Sequence, residues 1–162
     1  MSTRVSGMDE PRWLNSDEDR AWRGYRRLSL LLGRQLARDL VADSNLSEAD
    51  YDVLSNLGET PGGRIRLTDL AAHMRWSPSR LSHQVARMRQ RGLVTREASP
   101  DDGRGSVIVL SDEGRRTIEE AAPRHVESVR RHFIDLLTPA QVQALAALSD
   151  TVVEHLVKAE SE

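Results

Sequence analysis

Between Ser77 and Gln90 the sequence sets four kinds of hydrogen-bonding side chain at helical intervals: the hydroxyls of Ser77, Ser79 and Ser82, the guanidinium groups of Arg80 and Arg87, the imidazole of His83, and the amide of Gln90. Arg80 and Arg87 lie seven residues apart, about two helical turns, and so share a flank. A guanidinium offers a planar fork of donors that fits the paired acceptors of a phosphate or of a guanine edge. Small hydroxyls at a helix start let the backbone approach a phosphate closely, and the positive end of the helix dipole lies there too. His83 and Gln90 can hydrogen-bond to base edges. The chemistry these types suit is recognition of a polyanion rather than bond making. A solvated helix face carries the same residues, so the neighbouring elements must decide between the two.

Those neighbours are specific. Ser77-Pro78 is an N-cap followed by proline at the first helical position, a strong start signal. Leu81, Val85 and Met88 form the buried stripe, and Gly92 ends the helix. A shorter helix precedes it, with Thr68 as the expected N-cap, Asp69 in the first turn, and Leu70, Ala71 and Met74 on one face. Small Ala71 and Ala72 allow a second helix to approach, and Arg75-Trp76 forms the break. After Gly92, Leu93–Glu97 and Ser106–Leu110 have strand patterns, joined by a Pro/Asp/Gly-rich hairpin loop over Ser99–Gly105. Arg104 at the loop tip suits a minor groove, whose negative potential attracts arginine. Arg96 lies on the first strand. Asp102 is placed to hold Arg104 or Arg96 in position and to face away from phosphate.

With these residues in view, the stretch resembles the MarR family of bacterial transcription regulators. The family's wing has the form D-x-R, a short apolar strand, then Leu-Ser/Thr-x-x-Gly. Here these are Asp102-Gly103-Arg104, Val107–Leu110 and Ser111-Asp112-Glu113-Gly114. Leu70-Ala71, Ser77-x-Ser79 and Arg91-Gly92-Leu93-Val94 match the helix pair, and the resemblance extends over about residues 17 to 157. It implies a winged helix-turn-helix that binds double-stranded DNA as a homodimer at a pseudo-palindromic operator, usually as a repressor. It also implies release by a small aromatic or anionic effector bound between the first long helix and the DNA-binding lobe, where Trp22 and Tyr25 would line the pocket. Two positions depart from the pattern. Gln84 stands where the family has leucine and His83 where it often has arginine, and both departures are expected to bear on base preference.

The fold class expected is mainly α with a small antiparallel β-wing. A polar arm over residues 1–16, expected to be mobile, precedes one domain over 17–162. Its DNA-binding lobe covers about 47–110, and its dimerisation helices cover about 17–42 and 111–158. Trp22, Tyr25, Leu28, Leu32, Leu36 and Leu40 stripe the first helix; core or dimer packing is the plain account of Trp22 and Tyr25. Ser47 with Asp50 reads as a capping box opening a helix with Tyr51, Val53, Leu54 and Leu57 on its apolar face. Arg64-Ile65-Arg66 reads as a third, short strand of the wing. Ser111 caps a helix expected to reach about Leu137 and to kink near Ala122, ahead of Pro123. Thr138-Pro139-x-Gln141 opens the last helix, expected over about Ala140–Lys158. Long aliphatic stripes on the terminal helices would be left wet in a monomer, which points to a two-fold dimer.

The net charge is −2, but residues 64–104 hold nine arginines against four acids, a net of +5 that leaves −7 elsewhere. The basic charge is concentrated where the helix pair and hairpin lie. The chain has no cysteine, which removes disulfides and thiolate metal sites. No apolar run approaches the ~20 residues that span a bilayer, and no signal-peptide run is present, so a cytoplasmic location is expected. Gly-rich phosphate loops, HExxH and G-x-S-x-G are absent, and no enzyme is expected. No cofactor or metal is expected either. The five histidines lack tight ligand spacing, which leaves a zinc-sensing regulator of the same fold as a minor alternative. A winged helix used for protein contacts, without DNA, is the other; it would want an apolar or acidic face where Ser79–Gln90 is basic and hydroxylated.

Overall fold

The computed structural model describes residues 11–101 and 103–160. In chain order its elements are α1 (Ser16–Ser44), α2 (Glu48–Glu59), β1 (Arg64–Arg66), α3 (Leu67–His73), α4 (Pro78–Gln90), β2 (Val94–Ala98), β3 (Ser106–Leu110), α5 (Asp112–His132) and α6 (Pro139–Ala159). Short 3-10 turns lie at Pro61–Gly63 and Ile134–Leu136. The fold is mainly helical with a small antiparallel sheet, as expected. No helix among the described residues is long and apolar enough to cross a membrane.

The chain divides between Arg34 and Gln35 into two compact units. Most of the arm expected to be mobile, residues 1–10, lies outside the described residues. In the first unit α1 begins at Ser16, because Asn15 caps it: its side-chain oxygen accepts from the N–H groups of Asp17 and Glu18, both at 2.9 Å. Glu18 in turn accepts from the Asn15 N–H at 2.9 Å, so the reciprocal bonds satisfy donors that a helix start otherwise leaves unpaired. Trp22 and Tyr25 stack on each other, ring centroids 5.8 Å apart, and both are exposed.

The second unit holds the core. Leu46, Val53, Leu54, Leu57, Leu70, Leu81, Val85, Met88 and Ile108 have no exposed surface. They come from the loop before α2, from α2, α3, α4 and from the central strand, so the helices and sheet close over one apolar cluster. The sheet order is β1-β3-β2, antiparallel throughout, with Ile65 and Arg96 both opposite Ile108. The short strand expected at Arg64–Arg66 is therefore present and paired.

Local signals held at most helix starts. Ser47 and Asp50 form the reciprocal capping box of α2, and Thr138 and Gln141 that of α6. Ser77 accepts from the Arg80 N–H at 3.1 Å with Pro78 behind it. Thr68 is not the cap of α3. That helix starts at Leu67, after an Arg66 that makes no side-chain cap bond; Arg66 is still paired with Val107, so the strand passes directly into the helix. Strand β2 starts one residue later than expected, since the Leu93 N–H closes the end of α4 on the Met88 carbonyl at 3.1 Å. Gly92 supplies the positive φ of 73° that this closure needs.

Helix α5 runs through Pro123 but stops at His132, short of the expected Leu137. Phe133 leaves the helical region (φ −143°, ψ −69°), and an Arg130–Asp135 ion pair of 2.7 Å spans the bend. The apolar spacing continues across the break into Ile134 and Leu137, which is why the pattern alone reads as unbroken helix.

Candidate nucleic-acid interface

Helices α3 and α4 are joined by a tight turn. Arg75 takes φ 55° there, and the Trp76 N–H bonds to the Ala71 carbonyl at 2.9 Å. The inward side of α4 carries Leu81, Val85 and Met88, all fully buried. The outward side carries Ser79, His83 and Arg87, all exposed, with exposed Ser77 and Arg80 at its start and Ser82 half-buried. Arg96 on β2 and Arg104 in the hairpin are also exposed. Asp102, expected to orient the wing, lies outside the described residues. Asp101 beside it accepts from Arg66 on β1 at 2.9 Å.

Six arginines of this region fall into two groups by what they touch. Arg64 pairs with Glu97 at 2.6 Å, Arg91 with Asp50 at 2.7 Å, and Arg75 with Glu160. The Arg64–Glu97 hydrogen bond holds the Glu97 carboxyl below its ordinary range and raises Arg64. Arg80, Arg87 and Arg96, by contrast, rest on neutral groups. The Arg80 guanidinium carbon sits 3.8 Å above the Trp76 ring. Arg87 donates to the Gln84 amide oxygen at 2.5 Å, and Arg96 to the Ser82 hydroxyl at 3.0 Å. These contacts fix direction without cancelling charge. Arg80 also acts on Asp52 of α2, whose carboxyl is raised chiefly by burial and by Glu48 and pulled back by His125 and Arg80.

The wing is fastened to α4 by the motif that follows it. Ser111 donates to the Gly92 carbonyl at 2.6 Å and accepts from the Gly114 N–H at 2.9 Å. Its own N–H bonds to the Leu93 carbonyl at 3.2 Å. The start of α5 is thereby held on the turn that ends α4. A Cβ on Gly114 would stand 2.0 Å from the Leu93 carbonyl oxygen, so only glycine permits the approach. The spacing of this serine and glycine thus has a mechanical cause.

Sequence reasoning missed Asp50 and Trp76 as parts of the site, and the departure at Gln84, expected to bear on base preference, lies on the buried side of α4. Gln84 is 3% exposed and cannot meet a base edge. Its amide nitrogen donates instead to Asp50, itself buried, at 2.6 Å. Arg91, in the basic run that ends α4, ties that helix to Asp50 and to the Asn45 carbonyl. The one available signal was a polar residue inside the apolar arc of Leu81, Val85 and Met88. No group of three or more His, Asp and Glu side chains among the described residues is arranged to hold a metal ion.

Residues 44–105 match the sequence profile of the MarR family. The HTH-type transcriptional regulator PecS of Dickeya dadantii is 30% identical over 135 residues, 81% of this chain and 78% of that protein. AbsC, a MarR family transcriptional regulator from Streptomyces coelicolor, superposes with a TM-score of 0.85 at 44% identity, covering 91% of this chain and 99% of that one. Sco3205, a MarR family regulator of the same organism, crystallised in complex with DNA, gives 0.85 at 41% identity over 91% and 92% of the two chains. These relatives are transcriptional regulators and not enzymes. The helix pair, the wing and the fastening of Ser111 and Gly114 agree with that likeness, and the chain belongs to the MarR family of transcriptional regulators.

Proposed function

We propose that this protein is a homodimeric, sequence-specific double-stranded DNA-binding repressor that reads a pseudo-palindromic operator with α4 and the β2–β3 wing. The observation that carries the proposal is the second group of arginines. Arg80, Arg87 and Arg96 are exposed, aimed by an indole, an amide and a hydroxyl, and keep their charge for a polyanion. Ser79 and His83 lie on the same exposed face, where hydroxyl and imidazole suit base edges. The DNA complex of the 41%-identical Sco3205 supports the choice of DNA over a protein partner. Selection of bound duplexes from a random pool tests it. A two-half-site sequence should emerge, with binding that falls steeply as salt rises, by a slope near −0.9 per phosphate neutralised. No enrichment, or a flat salt response, would leave a protein-contact module.

The dimer is supported by α6, which has no buried residue, and whose Leu148 and Leu156 are 59% and 54% exposed. Two recognition helices would then sit ~34 Å apart, one DNA turn. A small aromatic or anionic effector that favours a different spacing would release DNA. Trp22 and Tyr25 are the aromatic surface assigned to it. Quenching of Trp22 fluorescence by aromatic acids, lost in Trp22→Phe, is the expected sign.

A further inference from the structure

The interior side of α4 carries a polar chain where a leucine would pack. Asp50 and Gln84 are 5% and 3% exposed. Asp50 Oδ2 accepts from the Ser47 N–H at 2.9 Å and from Arg91 at 2.7 Å. Its Oδ1 accepts from Gln84 Nε2 at 2.6 Å, and Gln84 Oε1 accepts from Arg87 at 2.5 Å. We infer that Gln84 is a positioning residue that, braced by Asp50, aims the Arg87 guanidinium at DNA. The inference rests on the proposed use of α4 as the DNA-reading helix.

The chemistry allows one arrangement. A carboxylate only accepts hydrogen bonds and a guanidinium only donates them. The uncharged side chain that joins them must do both, at opposite ends, and a glutamine amide does so. Asp50 therefore sets which way the amide faces, and the amide oxygen is left toward Arg87. Buried polar groups are held firmly to their partners, because losing one leaves an unpaired group away from water. An arginine tied in this way surrenders less rotamer freedom on meeting a phosphate than one free in solvent.

Two substitutions break the chain differently. Gln84→Leu removes both bonds while keeping an apolar filling. Asp50→Asn inverts the amide. The Ser47 N–H and Arg91 both need an oxygen at the Oδ2 position, so the new NH2 group must face Gln84. Gln84 then turns its oxygen to Asp50's replacement and its NH2 to Arg87, donor against donor.

The test is binding to a duplex selected from a random pool, for these two variants, Arg87→Ala and both double variants, across a salt series. Arg87→Ala should weaken binding and lower the salt slope by about 0.9. Gln84→Leu and Asp50→Asn should each weaken binding roughly fivefold, the loss of one hydrogen bond. Neither should weaken it further once Arg87 is alanine. Full loss from Gln84→Leu and Asp50→Asn in the Arg87→Ala background, or none in the native one, overturns the positioning role while leaving α4 as the reading helix. An Arg87→Ala variant with native affinity and slope overturns both this inference and the assignment of Arg87 to the DNA-facing set.

Discussion

Arg80 illustrates how an aromatic neighbour makes a cation selective. The central carbon of its planar guanidinium lies 3.8 Å from the centroid of the Trp76 ring, within cation–π range. An ammonium has no such plane and cannot offer two parallel donors to a guanine edge. Arg80→Lys should therefore keep the salt slope of binding but lose preference at one base position. Arg80→Ala should cost about 1–3 kcal/mol on the selected site and lower the slope as well. Titrating both variants against the selected duplex and single-base variants of it separates the two effects. Equal losses from Arg80→Lys on every sequence would mean that Arg80 meets phosphate only.

At the scale of elements, a contact highly sensitive to volume is the start of α5 against the turn that ends α4. Gly114→Ala places a methyl within 2.0 Å of the Leu93 carbonyl and 2.8 Å of a Leu110 methyl. Overpacking of this kind costs about 1–3 kcal/mol, and more where backbone must move. The expected result is a clear drop in thermal midpoint, together with weaker DNA binding because the wing shifts relative to α4. A midpoint within error of the native protein would show that α5 can slide away freely.

A second joint links the last part of α1 to α5. Asp39 accepts from Ser128 at 2.5 Å, from Gln35 at 2.8 Å and from His132 at 3.1 Å. The Ser128 bond is the largest cause holding its carboxyl below the ordinary value of 3.8, with further lowering by Gln35 and His132 against some burial. A depressed folded-state value stabilises the fold above the ordinary carboxylate range, and the effect is lost as pH falls through that range and below. Ser128→Ala should lower the thermal midpoint at about pH 7 and narrow its gap to the native protein toward about pH 3. A gap that does not change with pH would show that the serine bond ignores the charge on Asp39.

These joints also mark what the sequence could and could not disclose. Helix starts were legible because a cap is a local event: Ser47 with Asp50, Ser77 with Pro78, and Thr138 with Gln141 each complete themselves within four residues. The wing strands were legible as short apolar runs on either side of a loop rich in proline, aspartate and glycine. The α3 start was misassigned because β-pairing of Arg66 to Val107, a partner forty-one residues away, overrides the preference of Thr68 for a cap. The role of Gln84 was hidden for the same reason. Its partner Asp50 is 34 residues earlier, and no local pattern announces a hydrogen bond across the core.

The molecule as a whole poses the problem of its last helix. α6 is well capped and carries Val142, Leu148, Val152, Val153, Leu156 and Val157, all exposed on the single chain. An aliphatic surface of that length is rarely left in water, and in the proposed dimer a two-fold partner would cover it with a copy of itself. The consequence for DNA is quantitative. Two reading heads on one particle bind the second half-site as an intramolecular event, so affinity for the full site exceeds that for a half-site by far more than twofold. Leu148→Glu with Leu156→Glu puts like charges where the two copies of α6 would meet. The native protein should sediment at twice the 18.2 kDa chain mass, and the double variant at the single mass with its helical signal largely kept. Its affinity for the two-half-site duplex should fall to that for one half-site, and its salt slope to roughly half, since half the phosphates are neutralised by each particle. A native protein that sediments as a single chain, or a double variant that stays dimeric with native affinity, would remove α6 from the interface and the two-fold operator with it.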